Sequence, residues 1–319
     1  MKYRKLGNTT FEISEIGFGC WGIGGLTPGS TSYGETNDEI SIAALECAFE
    51  NGINFFDTSN VYGYGHSEKL LGTAFNNKRS QVILATKVGF IDYVSPPNFS
   101  IDSILLSLEA SLNRLKTSYV DILQLHNITL SELKSSSVLI NCLTKLKAEG
   151  TVRAIGVSVK NPSDALDIFD MFPFEVIQSN FNMLDIRVLS SGLYDLIQKY
   201  NIGLIARTPL AFGFLTGNFS ENQLFQKSDH RSRWSQAQVN LWVNGSRHLL
   251  NRCKESNNSS NHEIAIRFCL SYSSVSTCLV GMLTPKEVLE NITSSTKGPL
   301  SLESTNFIEK DHSANNYFL

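Results

Sequence analysis

The sequence is short of charge, and its charged residues form no long run of one sign. Charged side chains make up only 18% of the 319 residues, and the formal net charge is −3. Proteins that bind nucleic acids depend on clustered Lys and Arg, so this balance gives no indication of a nucleic-acid partner. Apolar residues reach 42%, which is enough for a globular protein to bury a large core.

Long hydrophobic runs and paired cysteines are also absent. No uninterrupted apolar stretch approaches the length of a membrane span, and no apolar segment follows the basic N-terminus as a signal peptide would require. The six cysteines are scattered, without a CxxC pair or a Cys/His metal spacing. We therefore expect a cytoplasmic protein with reduced cysteines, no metal site and no membrane partner. The sequence gives no indication of the oligomeric state.

Three short apolar runs each end on one ionisable residue. The run at residues 54–56 is followed by Asp57, the run at 82–86 by Lys87, and the run at 120–125 by His126. Such runs, bounded by turn residues, are typical of buried strands in a parallel sheet. If they are neighbours in a closed barrel, the three side chains converge on its carboxyl-terminal rim, where barrel enzymes carry their chemistry.

Alternating strands and helices predict the fold. A β-hairpin is expected around Gly7–Thr9. Eight buried strands follow, with helix-period segments between them such as residues 101–115, and the interval 211–276 holds extra helices. The predicted strands are Ile16–Gly19, Asn54–Asp57, Val82–Lys87, Val120–Leu125, Ala154–Val157, Val176–Ser179, Gly203–Arg207 and Thr277–Gly281. This order predicts an α/β protein, a (β/α)₈ TIM barrel that occupies residues 1–319 as a single domain.

The segment Gly17–Gly22 fits the G-x-G-x-x-G pattern of dinucleotide-binding proteins. That fingerprint also needs a helix to open at its third glycine, so that the pyrophosphate meets the helix N-terminus. The chain continues instead with more Gly and a Pro, which a helix does not tolerate. A Rossmann domain is therefore not expected, and the segment is interpreted as a glycine-rich loop that can line a ligand cleft.

Tyr62 lies five residues after Asp57 in the loop that follows the second strand. A free tyrosine titrates near pH ~10, and a neighbouring ammonium such as Lys87 lowers that value. Asp57 would orient Lys87, and His126 would donate a hydrogen bond to a carbonyl oxygen. Each residue also has a purely structural explanation: a cap or ion pair for Asp57, a satisfied core hydrogen bond for His126, and packing for Tyr62. Their joint placement on three consecutive strands favours catalysis.

These landmarks resemble the aldo-keto reductase family. The resemblance rests on Phe55-Phe56-Asp57-Thr58, Tyr62-Gly63, Ser67-Glu68, Ala85-Thr86-Lys87, Leu123-Gln124-Leu125-His126 and Ile155-Gly156-Val157-Ser158, and it runs from about residue 3 to 291. It implies a single-barrel enzyme that binds a nicotinamide dinucleotide in extended form. Hydride would pass to a carbonyl carbon while Tyr62 protonates the oxygen, and Asp57, Lys87 and His126 would complete the catalytic tetrad. Trp21, Tyr62 and His126 would contact the substrate.

The same resemblance implies a set of cofactor contacts. Ser158 and Gln178 would hold the nicotinamide carboxamide, although Val159 stands where the family commonly has Asn. Arg207 replaces a frequent aromatic residue and would stack on the nicotinamide. Residues 206–217 would cover the pyrophosphate, and residues 281–291 would hold the adenosine end. The predicted cofactor-binding residues are Gly19, Trp21, Ser158, Gln178, Arg207, Thr208, Leu210, Gly213, Leu215, Gly281, Met282, Lys286, Glu287, Glu290 and Asn291.

Two questions stay open in the sequence. Most family members use NADP(H), which favours that cofactor, but Glu287 would repel a 2′-phosphate and Lys286 is the sole basic residue near it, so NAD(H) is the alternative. Within the loop 226–235, the cluster Asp229–Trp234 resembles a loop found in one branch of the family, or is a solvated charged loop. The expected function is reduction of an aldehyde, ketone or sugar-like carbonyl. The alternatives are an NAD-dependent sugar dehydrogenase, or a non-enzymatic cofactor-binding subunit like those of potassium channels.

Overall fold

Eight parallel strands close into a barrel in the computed structural model, which describes residues 1–27, 29, 31–135, 137–254 and 259–319. In chain order the barrel strands follow one another around the ring, and the last pairs with the first. They are β3 (Ile16–Gly19), β4 (Phe55–Asp57), β5 (Ile83–Val88), β6 (Val120–His126), β7 (Val152–Ser158), β8 (Val176–Asn180), β9 (Gly203–Arg207) and β10 (Val275–Gly281). All eight predicted strands are confirmed, with ends that differ by two residues or fewer.

Helices follow the strands and form the outer layer. They are α1 (Asp38–Glu50), α2 (His66–Ala74), α3 (Ile101–Leu115), α4 (Leu130–Ser135), α5 (Ser137–Ala148), α6 (Pro162–Met171), α7 (Arg187–Ser190), α8 (Leu193–Tyr200), α9 (Gln236–Arg252), α10 (Asn261–Leu270), α11 (Pro285–Lys297) and α12 (Leu302–Ala314). The predicted extra helices between β9 and β10 are α9 and α10. The helix predicted over residues 101–115 begins where Ser100 accepts a hydrogen bond from the amide of Ser103, as an N-cap serine does.

The predicted N-terminal hairpin plugs the bottom of the barrel. Strand β1 (Tyr3–Lys5) pairs antiparallel with β2 (Glu12–Ser14), and Leu6 and Ile13 pack against the inward-facing side chains of the barrel strands. This inner apolar cluster consists of Leu6, Ile13, Phe55, Ala85, Ile122, Ala154, Val176, Ile205 and Leu279. This cluster forms an apolar layer below the carboxyl-terminal rim, which we call the floor of the barrel.

Strand periodicity places the site directly above this floor. Because side chains alternate between the two faces of a strand, the residue two positions after each floor residue also points into the barrel. Counting on from the floor gives the polar residues Asp57, Lys87, Gln124, Gln178 and Arg207. One apolar layer and one polar layer are therefore stacked inside the barrel, and the polar layer lies at the carboxyl-terminal end.

No helix of the described residues is both long and apolar enough to cross a membrane.

Candidate active site

Asp57 and Lys87 form a buried ion pair inside the barrel. The side chain of Lys87 is fully buried and that of Asp57 is 3% exposed. The Lys87 ammonium donates to Asp57 Oδ1 and, at 2.7 Å, to the carbonyl oxygen of Thr58. Burial lowers the pKa of Lys87, and the charge of Asp57 acts in the opposite direction. The two strand-end charges that the sequence singles out are thus directly paired.

Two glutamine side chains complete the surroundings of the Asp57 carboxylate. Gln124 and Gln178 each donate from Nε2 to Asp57 Oδ2 at 2.8 Å, and Gln178 also donates to Gln124 Oε1 at 3.0 Å. Sequence reasoning missed Gln124. The signal was present, since Gln124 shares a strand face with His126, two residues later.

Tyr62 lies above this pair. Its ring centroid is 4.9 Å from the Lys87 ammonium nitrogen, so the predicted neighbourhood is present. The expected lowering of the phenol pKa, however, is absent. Burial raises the pKa of Tyr62 and the charge of Asp57 raises it further, while Arg207 acts in the opposite direction. Lys87 directs its ammonium at Asp57, and burial of the phenol is the largest influence on its pKa.

His126 faces Tyr62 across the mouth of the barrel. The two rings meet edge to face with centroids 6.2 Å apart, and His126 Nδ1 lies 3.4 Å from Ser59 Oγ. Burial first, and then the positive charges of Lys87 and Arg207, hold the pKa of His126 well below its ordinary value. The imidazole is therefore neutral at physiological pH, as a hydrogen-bond donor to a carbonyl should be.

The glycine-rich loop supports the turn that carries Tyr62. A Cβ on Gly24 would lie 2.9 Å from the Gly63 amide nitrogen, and a Cβ on Gly63 would overlap the Gly24 carbonyl. His66 Nδ1 lies 3.0 Å from the same carbonyl. A short 3₁₀ helix, Gly22–Gly24, begins at the third glycine of the G-x-G-x-x-G pattern, so the expectation that no helix forms there is wrong for one turn. No α-helix of the described residues opens there, since α1 begins only at Asp38. The absence of a Rossmann arrangement is confirmed, and the glycines instead allow two backbones to cross.

Aromatic residues surround the mouth. Trp21 lies 6.5 Å from Tyr62 between ring centroids and packs edge-on against His230 at 4.6 Å. Tyr93, in the loop after β5, is near enough to Tyr62 that an ionised Tyr62 would raise the Tyr93 pKa. The sequence carried no signal for Tyr93, because its loop has no motif.

The loop 226–235 closes against the loop that follows β3. Ser32 and Asp229 form a short parallel bridge, and the His230 amide donates to the Ser32 carbonyl at 2.9 Å. Asp229 and His230 are buried, and the Arg231 guanidinium pairs with Asp229 at 2.6 Å. The interpretation as a merely solvated charged loop is therefore wrong for this part of the segment.

A groove of about 510 Å³ runs from the rim between β9 and β10 toward α11. Seven predicted cofactor-binding residues line it: Thr208, Leu210, Gly213, Gly281, Glu287, Glu290 and Asn291. Its wall is unusual in its backbone, since Thr208, Ala211, Phe212 and Gly213 have φ values of 57°, 45°, 58° and 95°. Left-handed conformations cost free energy in residues other than Gly and cluster at ligand sites. The strained backbone of this wall therefore favours a ligand site in the groove.

Three further predicted residues, Ser158, Gln178 and Arg207, lie toward the carboxyl-terminal ends of β7, β8 and β9. Ser158 Oγ lies 3.4 Å from Asn127 Oδ1, and Gln178 uses its amide nitrogen on Asp57 and Gln124. Arg207 donates from Nη2 to the Val159 carbonyl at 2.9 Å, while its buried Nε has no acceptor among the described residues. An N–H donor without an acceptor at this position suits a bound group that carries an acceptor oxygen.

Eight of the fifteen predicted cofactor-binding residues do not line the groove: Trp21, Ser158, Gln178 and Arg207, described above, and Gly19, Leu215, Met282 and Lys286. Leu215 and Met282 are fully buried, and Gly19 ends β3 below the mouth. The Lys286 side chain is 84% exposed and lies 3.8 Å from Glu290. Their cofactor contacts stay predictions. Among the residues that the structure describes, no cluster of three His, Cys, Asp or Glu side chains could hold a metal ion.

Comparison with known proteins decides the family. A sequence profile described as the Aldo/keto reductase family matches residues 15–310. The chain belongs to this family. It is 33% identical to an L-galactose dehydrogenase of Arabidopsis thaliana, over 93% of this chain and 89% of the relative. It is 28% identical to an NADH-specific methylglyoxal reductase of Escherichia coli, over 92% and 93% of the two chains.

Solved structures agree with this membership. The holo form of the aldo-keto reductase AKR11C1 from Bacillus halodurans superposes with a TM-score of 0.79 at 26% identity, over 97% of this chain and 96% of the other. The predicted family and the (β/α)₈ fold are both confirmed. As an aldo-keto reductase, the protein is an oxidoreductase that depends on a nicotinamide cofactor.

Proposed function

We propose that the protein reduces small aldehydes, ketones or sugar-like carbonyl compounds with Tyr62 as the proton donor. The observation that carries the proposal is the convergence of Tyr62, His126 and the Asp57–Lys87 pair at the barrel mouth, with a ring-to-nitrogen distance of 4.9 Å between Tyr62 and Lys87. These side chains come from three neighbouring strands and the loop after β4. This arrangement suits a proton donor that faces a polarised carbonyl group.

Each residue has a separate role in this proposal. The His126 imidazole, held neutral by burial, donates a hydrogen bond to the carbonyl oxygen, and a hydroxyl proton from Ser59 to Nδ1 would leave hydrogen on Nε2 for that purpose. Tyr62 gives its proton to the same oxygen as negative charge develops there. Lys87 then stabilises the phenolate, and Asp57 holds Lys87 in position. Trp21 and Tyr93 limit access of water.

The groove residues fit a nicotinamide dinucleotide. The reduced cofactor, when bound, supplies the hydride. Ser158 and the carbonyl oxygen of Gln178 would hold the carboxamide, since the Gln178 amide nitrogen is already used within the protein. Arg207, with an orphaned Nε, would lie against the nicotinamide. The strained wall at residues 208–213 would follow the pyrophosphate, and residues 281–291 would enclose the adenosine.

For the choice of cofactor, the contacts of Glu287 support NAD(H) over the NADP(H) that family membership favours. Glu287 Oε2 accepts the Leu283 amide at 2.7 Å, and the Glu287 amide donates to Thr284 Oγ1 at 3.3 Å. The Glu287 carboxylate thus lies at the turn that leads into α11, against the amide of the residue before the N-cap Thr284. A 2′-phosphate would meet that carboxylate, whereas Lys286 points into solvent.

The same residues would also run the reaction in reverse. An alcohol would give up hydride while the phenolate of Tyr62 accepts its proton, which is the direction named for the L-galactose dehydrogenase relative. An NAD-dependent sugar dehydrogenase is therefore the second candidate function. Both share Tyr62 as the proton-transfer group, so one variant tests both.

The test replaces Tyr62 with Phe. Carbonyl reduction and alcohol oxidation are followed at 340 nm across a panel of aldehydes, ketones and aldoses, with Tyr93→Phe as the matched control tyrosine. We expect Tyr62→Phe to lose roughly 10²–10⁴-fold in kcat, the usual contribution of a general acid, with cofactor affinity unchanged. Activity within a few-fold of wild type would refute the role of Tyr62. A wild-type protein that binds cofactor but turns over no compound would favour a cofactor-binding subunit instead.

A further inference from the structure

Arg207 differs from the other arginines that lie mostly inside the protein. Arg4, Arg79 and Arg114 each lie 2.7 Å from a carboxylate oxygen. Among the described residues, no carboxylate oxygen lies within 4.0 Å of Arg207, which has only the Val159 carbonyl as acceptor, at 2.9 Å. Arg207 is partly buried and its Nε is inaccessible to solvent. A guanidinium held in this way without a counter-charge is costly, so its retention calls for a functional explanation.

Arg207 adjoins residues that line the groove. It pairs in register with Asn180 on β8 and Leu279 on β10, and both Leu279 and the following Thr208 line the groove. In the ring of eight strands, β9 stands four strands away from β5, which carries Lys87. Arg207 therefore lies beside the groove, and it is close enough to Tyr62 for its charge to oppose the rise of the Tyr62 pKa.

The charge of Arg207 is not compensated at this position. Two buried carboxylates, Asp57 and Asp185, act on Arg207 from a distance. Asp57 is already bound to Lys87, Gln124 and Gln178, and Asp185 is paired with Arg187. Burial lowers the pKa of Arg207, yet a guanidinium stays protonated at neutral pH. The mouth of the barrel thus holds one surplus positive charge, and it lies beside the groove.

We propose that Arg207 makes the enzyme bind the reduced nicotinamide cofactor more tightly than the oxidised one. The inference rests on the proposed placement of the nicotinamide against Arg207. The oxidised ring carries a positive charge and the reduced ring is neutral, so a fixed cation beside it destabilises only the oxidised form. Because the surroundings are buried, the repulsion is weakly screened. On the enzyme, the equilibrium between the two forms moves toward the reduced cofactor, which assists oxidation of an alcohol.

Isothermal titration calorimetry without substrate tests the proposal. NAD⁺, NADH and ADP-ribose are titrated into wild type, Arg207→Gln, Arg207→Lys and the exposed control Lys160→Gln, and the first two ligands are replaced by NADP⁺ and NADPH in a parallel series. We expect wild type to bind NADH roughly tenfold or more tightly than NAD⁺. Arg207→Gln should narrow this ratio to about threefold or less by strengthening NAD⁺ binding. The ratio should persist in Arg207→Lys and Lys160→Gln.

ADP-ribose separates the proposed effect from a general loss of the site. It lacks the nicotinamide, so its affinity should be the same in wild type and Arg207→Gln. A wild-type ratio near one would overturn the proposal even if the glutamine variant does not fold. An unchanged ratio in folded Arg207→Gln, or equal weakening of all three ligands, would overturn it as well. Failure of the proposed function would be seen separately, as retained turnover in Tyr62→Phe.

Discussion

His230 gives the clearest prediction about stability, because aromatic rings surround it and the nearby Asp229 carboxylate, 3.6 Å from Nδ1, does not outweigh burial in its effect on the pKa. Its ring contacts Trp21, Tyr33, Phe212 and Trp234 at centroid distances of 4.6–5.4 Å. Neither ring nitrogen has a hydrogen-bond partner among the described residues. Phenylalanine has a similar shape and no nitrogen to desolvate. His230→Phe should therefore keep the junction between the loop 226–235 and Ser32, whose hydrogen bond uses the backbone.

The magnitude follows from the pKa. Burial is the main cause that lowers the pKa of His230 to about 4, against about 6.5 in an unfolded chain. Below pH ~6.5 the unfolded chain takes up a proton that the folded protein does not, so stability falls with decreasing pH until about 4. Between pH ~6.5 and ~5 this amounts to about 2 kcal/mol at 1.36 kcal/mol per unit. The variant should lack this loss.

Urea unfolding at pH 7.5 and 5.0 measures the difference. Wild type should lose about 2 kcal/mol more than His230→Phe between these two conditions. His126, whose pKa is also lowered by burial, contributes a loss of the same sign to both proteins and cancels in the comparison. Equal acid losses in the two proteins would refute the reasoning, because the imidazole would then have to be protonated in the folded state at pH 5.

Two further predictions concern Lys87 and Glu287. Lys87→Met should cost about 3–5 kcal/mol, because it leaves the Asp57 carboxylate buried without a counter-charge, and Asp57→Asn in the same chain should restore most of that loss in urea unfolding. Equal stability of wild type and Lys87→Met would show that the pair is not held in the interior. Glu287→Gln should raise the kcat/KM ratio of NADPH over NADH, whereas the control Glu290→Gln, at an exposed position, should change it less. An unaltered ratio in Glu287→Gln would place the adenosine 2′ position elsewhere.

The strands and their order could be predicted from the sequence because both signals are local. A short apolar run between turn residues marks a strand wherever it lies, and alternation with helices leaves the closed barrel as the natural arrangement. The rim residues Asp57, Lys87 and His126 followed from the same rule, since each stands where a run ends. Their spatial convergence needed only the assumption of consecutive neighbours, which the strand order satisfies.

The features that sequence reasoning missed depend on long-range packing. Ser32 meets Asp229 across almost 200 positions of the chain, and no pattern in either segment indicates the other. The pKa of Tyr62 is a second example. Its direction depends on how completely the surrounding loops bury the phenol, whereas the sequence showed only that an ammonium would be near.

The contacts of Lys87 bear on how a buried tyrosine can serve as the acid. In the resting site the Lys87 ammonium donates to Asp57 and to the Thr58 carbonyl. Burial raises the pKa of Tyr62, so the phenol stays protonated until negative charge develops on the substrate oxygen. On the proposed assignment, Lys87 acts on Tyr62 as the proton leaves and a phenolate charge develops. The Lys87 nitrogen lies 4.9 Å from the centroid of the Tyr62 ring. An interaction that strengthens only as the reaction proceeds lowers the barrier, whereas one already present in the resting state would not. The raised phenol pKa means that burial outweighs this stabilisation of the phenolate in the resting protein, so Tyr62 is held in the protonated form that can donate a proton.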